Sequence, residues 1–136
     1  DYSLAQRGYE AELEPLCRAE QIGVIGYFSL AAGFLTGKYR SAQDATGRAR
    51  ENRVAKYLNP RGLALLNVLD SVAQTHGASP AQVALAWIIA RPGITAPIAS
   101  ATSVAQLDEL LGAVRLTLSP EAIGRLDTAS AGGIEG

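Results

Sequence analysis

Two short, uninterrupted apolar runs stand out in a chain otherwise patterned for helices: residues 22–27 (IGVIGY) and 94–99 (ITAPIA). Runs of that length suit strands buried on both faces of a parallel sheet. The opening residues 1–4 (DYSL) read as the end of a further strand. Around these runs, apolar positions recur at the three-and-four spacing of amphipathic helices. Residues 9–20 predict one helix with Leu13, Leu16 and Cys17 on its inner side and Pro15 within it as a break or kink. Asn59-Pro60 opens a second, whose stripe is Leu65, Leu66, Leu69, Val72 and Ala73 and whose stop is Gly77. Ser79-Pro80-Ala81-Gln82 is a capping box, with Val83, Ala84, Trp87 and Ile88 facing inward. Ser103 starts a helix expected to bury Leu107, Leu110, Leu111 and Val114, and Ser119-Pro120 starts a last one carrying Ile123 and Leu126. Residues 41–58 are polar and read as a long mobile loop, and the tail AGGIEG as frayed.

Strands separated by helices imply right-handed crossovers and a parallel sheet, an α/β class. Three strands make a sheet with two open edges and poorly covered faces. The simplest resolution is that further strands lie upstream of Asp1, so the chain, which opens with neither methionine nor a targeting segment, is expected to be a fragment.

Composition narrows the classes without changing that picture. Of 136 residues, 48% are apolar and 18% charged, a globular balance. A net charge of −1 argues against a dominating field for nucleic acid or anionic lipid. No apolar run approaches the roughly 18 residues of a membrane span. The single cysteine, Cys17, has no internal disulfide partner, which fits a cytoplasmic setting, and it reads as a small packing residue rather than a nucleophile.

Ligands of parallel α/β folds sit on the loops that follow the strands. The first such loop runs through SLAAGFLTGK to Lys38, with small residues that let backbone N–H groups approach a phosphate and a lysine to add charge. The second, ASATS from Ala99 to Ser103, leads into a helix N-terminus, a place that favours anions. Together they suggest one phosphorylated ligand spanning both loops. Taken singly, small residues after a strand also make an ordinary tight turn, and Ser or Thr before a helix an ordinary cap. Neither the Walker spacing nor GxGxxG is present. The arginines of residues 48–53 read as a solvated loop in preference to a phosphate clamp.

These segments carry a family resemblance. Residues 27–39 (YFSLAAGFLTGKY) resemble the signature after strand seven of the aldo-keto reductases. Residues 96–102 (APIASAT), with Gln106-Leu107-Asp108-Glu109, resemble the segment after strand eight, and Asp1-Tyr2-Ser3-Leu4 with Arg7 the end of strand six. Residues 116–127 resemble the closing helix, and the nearest subgroup is the bacterial oxidoreductases related to potassium-channel beta subunits.

The resemblance implies a (β/α)8 barrel, of which this chain is the C-terminal part, about strands six to eight, and a single partial domain over residues 1–136. It also implies NADP(H) bound without a Rossmann fold. Tyr27 then stacks on the nicotinamide. Leu30, Ala31, Gly33, Thr36 and Lys38 cover the pyrophosphate. Ser100 and Thr102 lie near the 2′-phosphate, and Gln106 and Glu109 contact the adenosine end. Leu110 stands where the family often has Asn, and Ser100 where it often has Gly.

No residue matches the family's catalytic Asp, Tyr, Lys and His, which belong to the first half of the barrel. The other tyrosines, Lys56 and His76 sit in the wrong contexts, His76 at a helix end. The expected function is the cofactor-binding part of a reductase that turns small aldehydes or ketones into alcohols, the chain alone being inactive. The alternative is a nucleotide-sensing or interaction module on the same barrel.

Overall fold

The computed structural model describes residues 1–47 and 50–134. Among the described residues, seven helices and two strands follow one another as α1 (Tyr9–Ala19), β1 (Val24–Gly26), α2 (Ala42–Ala45), α3 (Glu51–Val54), α4 (Pro60–His76), α5 (Pro80–Ile89), β2 (Ile94–Pro97), α6 (Val104–Arg115) and α7 (Pro120–Ala129). Short 3₁₀ turns at Ala31–Thr36 and Ala55–Tyr57 complete the set.

Helix starts follow local chemistry. Asn59 accepts from the Gly62 N–H, Ser79 from Gln82, Ser103 from Gln106 and Ser119 from Ala122, each satisfying an otherwise orphan donor. Gly77 closes α4 in the left-handed conformation at φ 60°. His76 stays within its own helix, with Nδ1 2.9 Å from the Val72 carbonyl.

The core lies where α4 and α7 meet α5. Leu65, Leu66, Leu69, Val83, Trp87, Ile88 and Leu126 are fully buried there. Phe34 and Tyr57 stack at 5.4 Å beside the start of α4. Gly62 is required at that contact, because a Cβ there would collide with the Tyr57 carbonyl oxygen and press on Phe34.

Strands β1 and β2 pair in parallel, Val24 opposite Ile94, Ile25 opposite Ala96 and Gly26 opposite Pro97, with an irregularity after Val24. The molecule is thus α/β and mostly helical, around a two-stranded parallel sheet. The strands are shorter than the apolar runs suggest. Ile22 closes the turn after α1, its N–H donating to the Cys17 carbonyl, and so cannot begin β1. Nor is β1 buried on both faces, since Ile25 is 62% exposed.

Residues 1–4 do not form the expected strand. Ser3 and Gln6 exchange both backbone hydrogen bonds, which turns the chain back on itself. Only the Tyr2 N–H reaches the β1 side, donating to the Tyr27 carbonyl.

Two helices present a different face from the one their pattern suggests. In α1, Leu13 and Leu16 are exposed, Cys17 is half-buried and no residue is fully buried. In α6, Leu107, Leu111 and Val114 point outward and Leu110 is half-buried. The cause in α6 is close approach to α5 through Gly112 and the buried Ala113: a Cβ on Gly112 would run into the side chain of Gln82. The small residues, not the leucine stripe, make the contact.

Segment 41–58 is more structured than a mobile loop. Ser41 and Asp44 form a capping box on α2, and Val54 and Tyr57 are buried anchors. Arg48 lies outside the described residues. The tail docks instead of fraying as far as Ile134, which is buried, donates to the Ala5 carbonyl and accepts from Asn59 Nδ2 at 2.8 Å. Glu135 and Gly136 lie outside the described residues.

Candidate functional site

The loops after β1 and β2 lie side by side because their strands are parallel neighbours, as the Ile98 N–H bonded to the Gly26 carbonyl at 2.8 Å records. After β1 the chain turns through an unusual series. Phe28, Ala31, Ala32 and Gly33 have φ of 60°, 48°, 57° and 95°. Left-handed backbone costs an alanine roughly 1–2 kcal/mol, and such strain collects at binding loops. The series is pinned from both sides. The Ala31 N–H donates to Phe28, Gly33 donates to Leu30, and the Thr36 hydroxyl donates to the Gly33 carbonyl at 2.7 Å.

Two hollows open along this loop. One, of about 200 Å³, has an aromatic side formed by Tyr27 and Phe28, with Arg53 and Ile98 around it. The other, of about 530 Å³, takes in Gly33 and the polar residues Thr36, Lys38, Thr102, Gln106 and Glu109, with Ala81 and Leu110. Leu30, Ser100 and Arg50 line both. Nine of the ten sequence-nominated residues therefore border this joined site. Ala31 does not: it is 1% exposed, within the core beneath the loop.

The residues after β2 are organised locally. Gln106 Oε1 accepts from both the N–H and the hydroxyl of Thr102, at 2.9 and 3.0 Å, while Ser103 caps the Gln106 N–H. The Glu109 carbonyl accepts from Gln82 Nε2, which ties this end of the site to α5. Tyr27 is 54% exposed and set edge-to-face on Phe28 at 5.7 Å, so its ring is available from the hollow.

Sequence reasoning left Phe28 out of the site and set Arg50 and Arg53 down as a solvated loop in preference to a phosphate clamp, yet they line the hollows. The signal was present as basic residues at close spacing after the small-residue loop. What it lacked was a reason for the segment to fold back, which the buried Val54 and Tyr57 supply.

A second polar cluster lies apart from this site. Tyr2 donates to Glu10 at 2.6 Å, Arg7 grips the same carboxylate through Nε and Nη2, and Arg91 pairs with Glu10 and with Asp127. Trp87 Nε1 donates to Asp127, and the guanidiniums of Arg7 and Arg91 lie 5.4 and 4.7 Å from the Trp87 ring centre. Burial pushes the Tyr2 hydroxyl well above its usual range, and the Glu10 hydrogen bond adds to that against the opposing charge of Arg91. Tyr2 therefore remains a proton donor to Glu10.

Comparison with known proteins joins the two loops to a family. A model of the Aldo/keto reductase family matches residues 1–131. The chain belongs to that family. It is 32% identical over 126 residues to a probable aldo-keto reductase 1 of Glycine max, covering 88% of this chain and 35% of that protein. An uncharacterized oxidoreductase, YrpG, of Bacillus subtilis is 34% identical over 126 residues, 93% of this chain and 37% of its own length. The Schizosaccharomyces pombe aldo-keto reductase yakc [NADP(+)] is 29% identical over 131 residues, 94% of this chain and 38% of its own length. The chain thus spans little more than a third of the relatives it matches. The family implies a (β/α)8 barrel. No described helix is long and apolar enough to cross a membrane.

Proposed function

We propose that this chain is the C-terminal, cofactor-holding part of a cytoplasmic NADP(H)-dependent aldo-keto reductase that reduces small aldehydes and ketones to alcohols. In this reading residues 1–136 are one partial domain, contributing about strands six to eight of the barrel. The observation that carries it is the joined site itself: an aromatic hollow at Tyr27 runs into a second hollow edged by Lys38, Thr102, Gln106 and Glu109, across one strained small-residue loop. A dinucleotide has the same division, a flat ring at one end, charge in the middle and a polar nucleoside at the other.

The residues present suit that group. Tyr27 offers a ring face for the nicotinamide. Gly33, at φ 95°, takes a left-handed backbone that glycine adopts freely, beside the Lys38 side chain, so backbone and lysine can both face a phosphate. Thr102 and Gln106 offer hydroxyl and amide groups to the adenosine end, with Ser100 beside them, and Glu109 a carboxylate for a sugar hydroxyl. NADPH, when bound, supplies the hydride. The proton donor is assigned to the remainder of the barrel, because no residue here matches the family's catalytic set. The share of each relative that is matched, and the apolar faces of α1 and α6 left open, support a larger parent.

The test is to assay the full-length protein carrying this chain for aldehyde-dependent oxidation of NADPH, beside the 136-residue chain alone. Turnover by the former and none by the latter is expected. Tight NADPH binding without turnover by the full-length protein would favour the sensing role, and turnover by the chain alone would overturn the division of labour.

A further inference from the structure

Residues Ala131 to Ile134, which follow α7, are small but for one isoleucine, and they are tied to three separate parts of the chain. Gly132 and Gly133, both in left-handed backbone at φ 71°, turn the tail back after α7. Arg61 Nη2 donates to the Ala131 carbonyl at 2.7 Å, and the Ile134 N–H donates to the Ala5 carbonyl at 3.1 Å. The Ile134 side chain is 1% exposed, within the core. The third tie is Asn59, and it does more than hold the tail. Its Oδ1 accepts from the Gly62 N–H at 2.9 Å and caps α4. Its Nδ2 donates both to the Ile134 carbonyl at 2.8 Å and to the Lys56 carbonyl at 3.0 Å. A side-chain amide carries two N–H donors, so one is spent on the tail and the other on the segment that precedes α4.

That segment has a place in the ligand site. Arg50 and Arg53 line the hollows, and the Arg53 guanidinium lies 5.9 Å from the centre of the Phe28 ring. Tyr57 stacks at 5.4 Å on Phe34, inside the small-residue loop itself. The segment consists of single turns, Glu51–Val54 and Ala55–Tyr57, too short to be stable by themselves. Its position rests on side chains, the buried Val54 and Tyr57 and, at its downstream end, Asn59.

We infer that the C-terminal tail positions one wall of the ligand site, with Asn59 as the positioning residue that joins the docked Ile134 to segment 50–58. The two partners lie 75 residues apart in sequence. Loss of the tail contact strips Asn59 Nδ2 of one of its two acceptors and frees the anchor of the segment, and a segment with few anchors opens locally before the core does. The consequence for a ligand rests on the dinucleotide reading given above, whereas the tie itself does not.

The test uses the full-length protein and its variants Asn59→Ser, Asn59→Ala, Ile134→Ala and Ile134→Val. The readouts are amide hydrogen exchange without ligand and steady-state kinetics with NADPH and a small aldehyde. Serine keeps a cap on α4 but has no amide to reach the tail, and alanine has neither. Asn59→Ser should speed exchange at the hydrogen-bonded amides of Arg53, Val54 and Leu58 by about tenfold, the worth of one or two hydrogen bonds. The first turn of α4 and the whole of α5 should keep their wild-type rates. Asn59→Ala should free the first turn of α4 as well. Ile134→Ala should reproduce the loosening of 50–58, and Ile134→Val should restore most of the protection. In Asn59→Ser and Ile134→Ala, KM for NADPH should rise severalfold with kcat unchanged, because segment 50–58 borders the hollows and the proton donor is assigned elsewhere. Wild-type exchange over 50–58 in both variants would overturn the inference. So would loosening spread evenly through α5 and α7, which would make the tail a general support of the core, and so would local loosening with KM unchanged. Local loosening in a protein whose wild type binds no NADPH would uphold the tie and sink the cofactor reading instead.

Discussion

Tyr27 is the residue on which the ligand reading can be pressed hardest. It follows directly on β1, stays more than half exposed and is held by the edge of Phe28 rather than by the core. Stacking of a flat heterocycle on such a ring contributes about 1–3 kcal/mol. Tyr27→Ala in the full-length protein should weaken NADPH binding by that amount while leaving its melting temperature in place, since little packing is lost. Fluorescence titration checks the first part and a thermal melt the second. Unchanged affinity would remove Tyr27 from the site. Tyr27 was legible in the sequence because it closes the apolar run 22–27 and because residues 27–39 resemble the family's segment, a likeness that adjacent residues carry. Arg50 was not, because its place depends on chain folding back over 18 residues to Ala32.

Among the elements, starts were legible and faces were not. Asn59, Ser79, Ser103 and Ser119 mark helix starts through hydrogen bonds that span three residues, so sequence spacing alone specifies them. Which face a helix buries depends on its neighbours. Helix α6 approaches α5 through Gly112 and Ala113, and α1 is fastened by charge. Glu10 ties α1 to Tyr2, Arg7 and Arg91. Burial acts to raise the Glu10 carboxyl. Hydrogen bonds from Arg7 and Tyr2, with the charges of Arg7 and Arg91, outweigh it and hold the group below its ordinary 4.5. A carboxyl depressed on folding stabilises the folded form above its unfolded value, and that stabilisation disappears as pH falls through the folded one. Wild-type protein should therefore lose urea resistance below about pH 4.5 more steeply than Glu10→Gln, which has no such proton to take up. Parallel acid slopes for the two proteins would show that α1 is not held this way.

At the scale of the whole molecule, a well-formed core coexists with open apolar faces. Trp87, Leu65, Leu66, Leu69, Ile88 and Leu126 exclude solvent completely. Val104, Leu107, Leu111 and Val114 form one stripe along α6 at three-four-three spacing, each between 48% and 75% exposed. Leu13 and Leu16 on α1, and Ile25 and Ile98 at the sheet, are also more than half exposed. Full burial of such a side chain contributes about 1.5–3 kcal/mol, so covering even part of these faces gives a strong drive to associate. Contiguous apolar patches of this kind mark interaction surfaces or aggregation sites, and the open edges of a two-stranded sheet add to the tendency. The proposed barrel would cover them with its own remaining elements. The 136-residue chain produced alone should accordingly bind ANS, elute as a mixture of oligomers and keep a helical far-UV signal without a sharp melt. The full-length protein should do none of these. A monomeric chain that ignores ANS and unfolds in one reversible, two-state calorimetric transition would establish residues 1–136 as a self-sufficient domain, and the partial-barrel reading would fall.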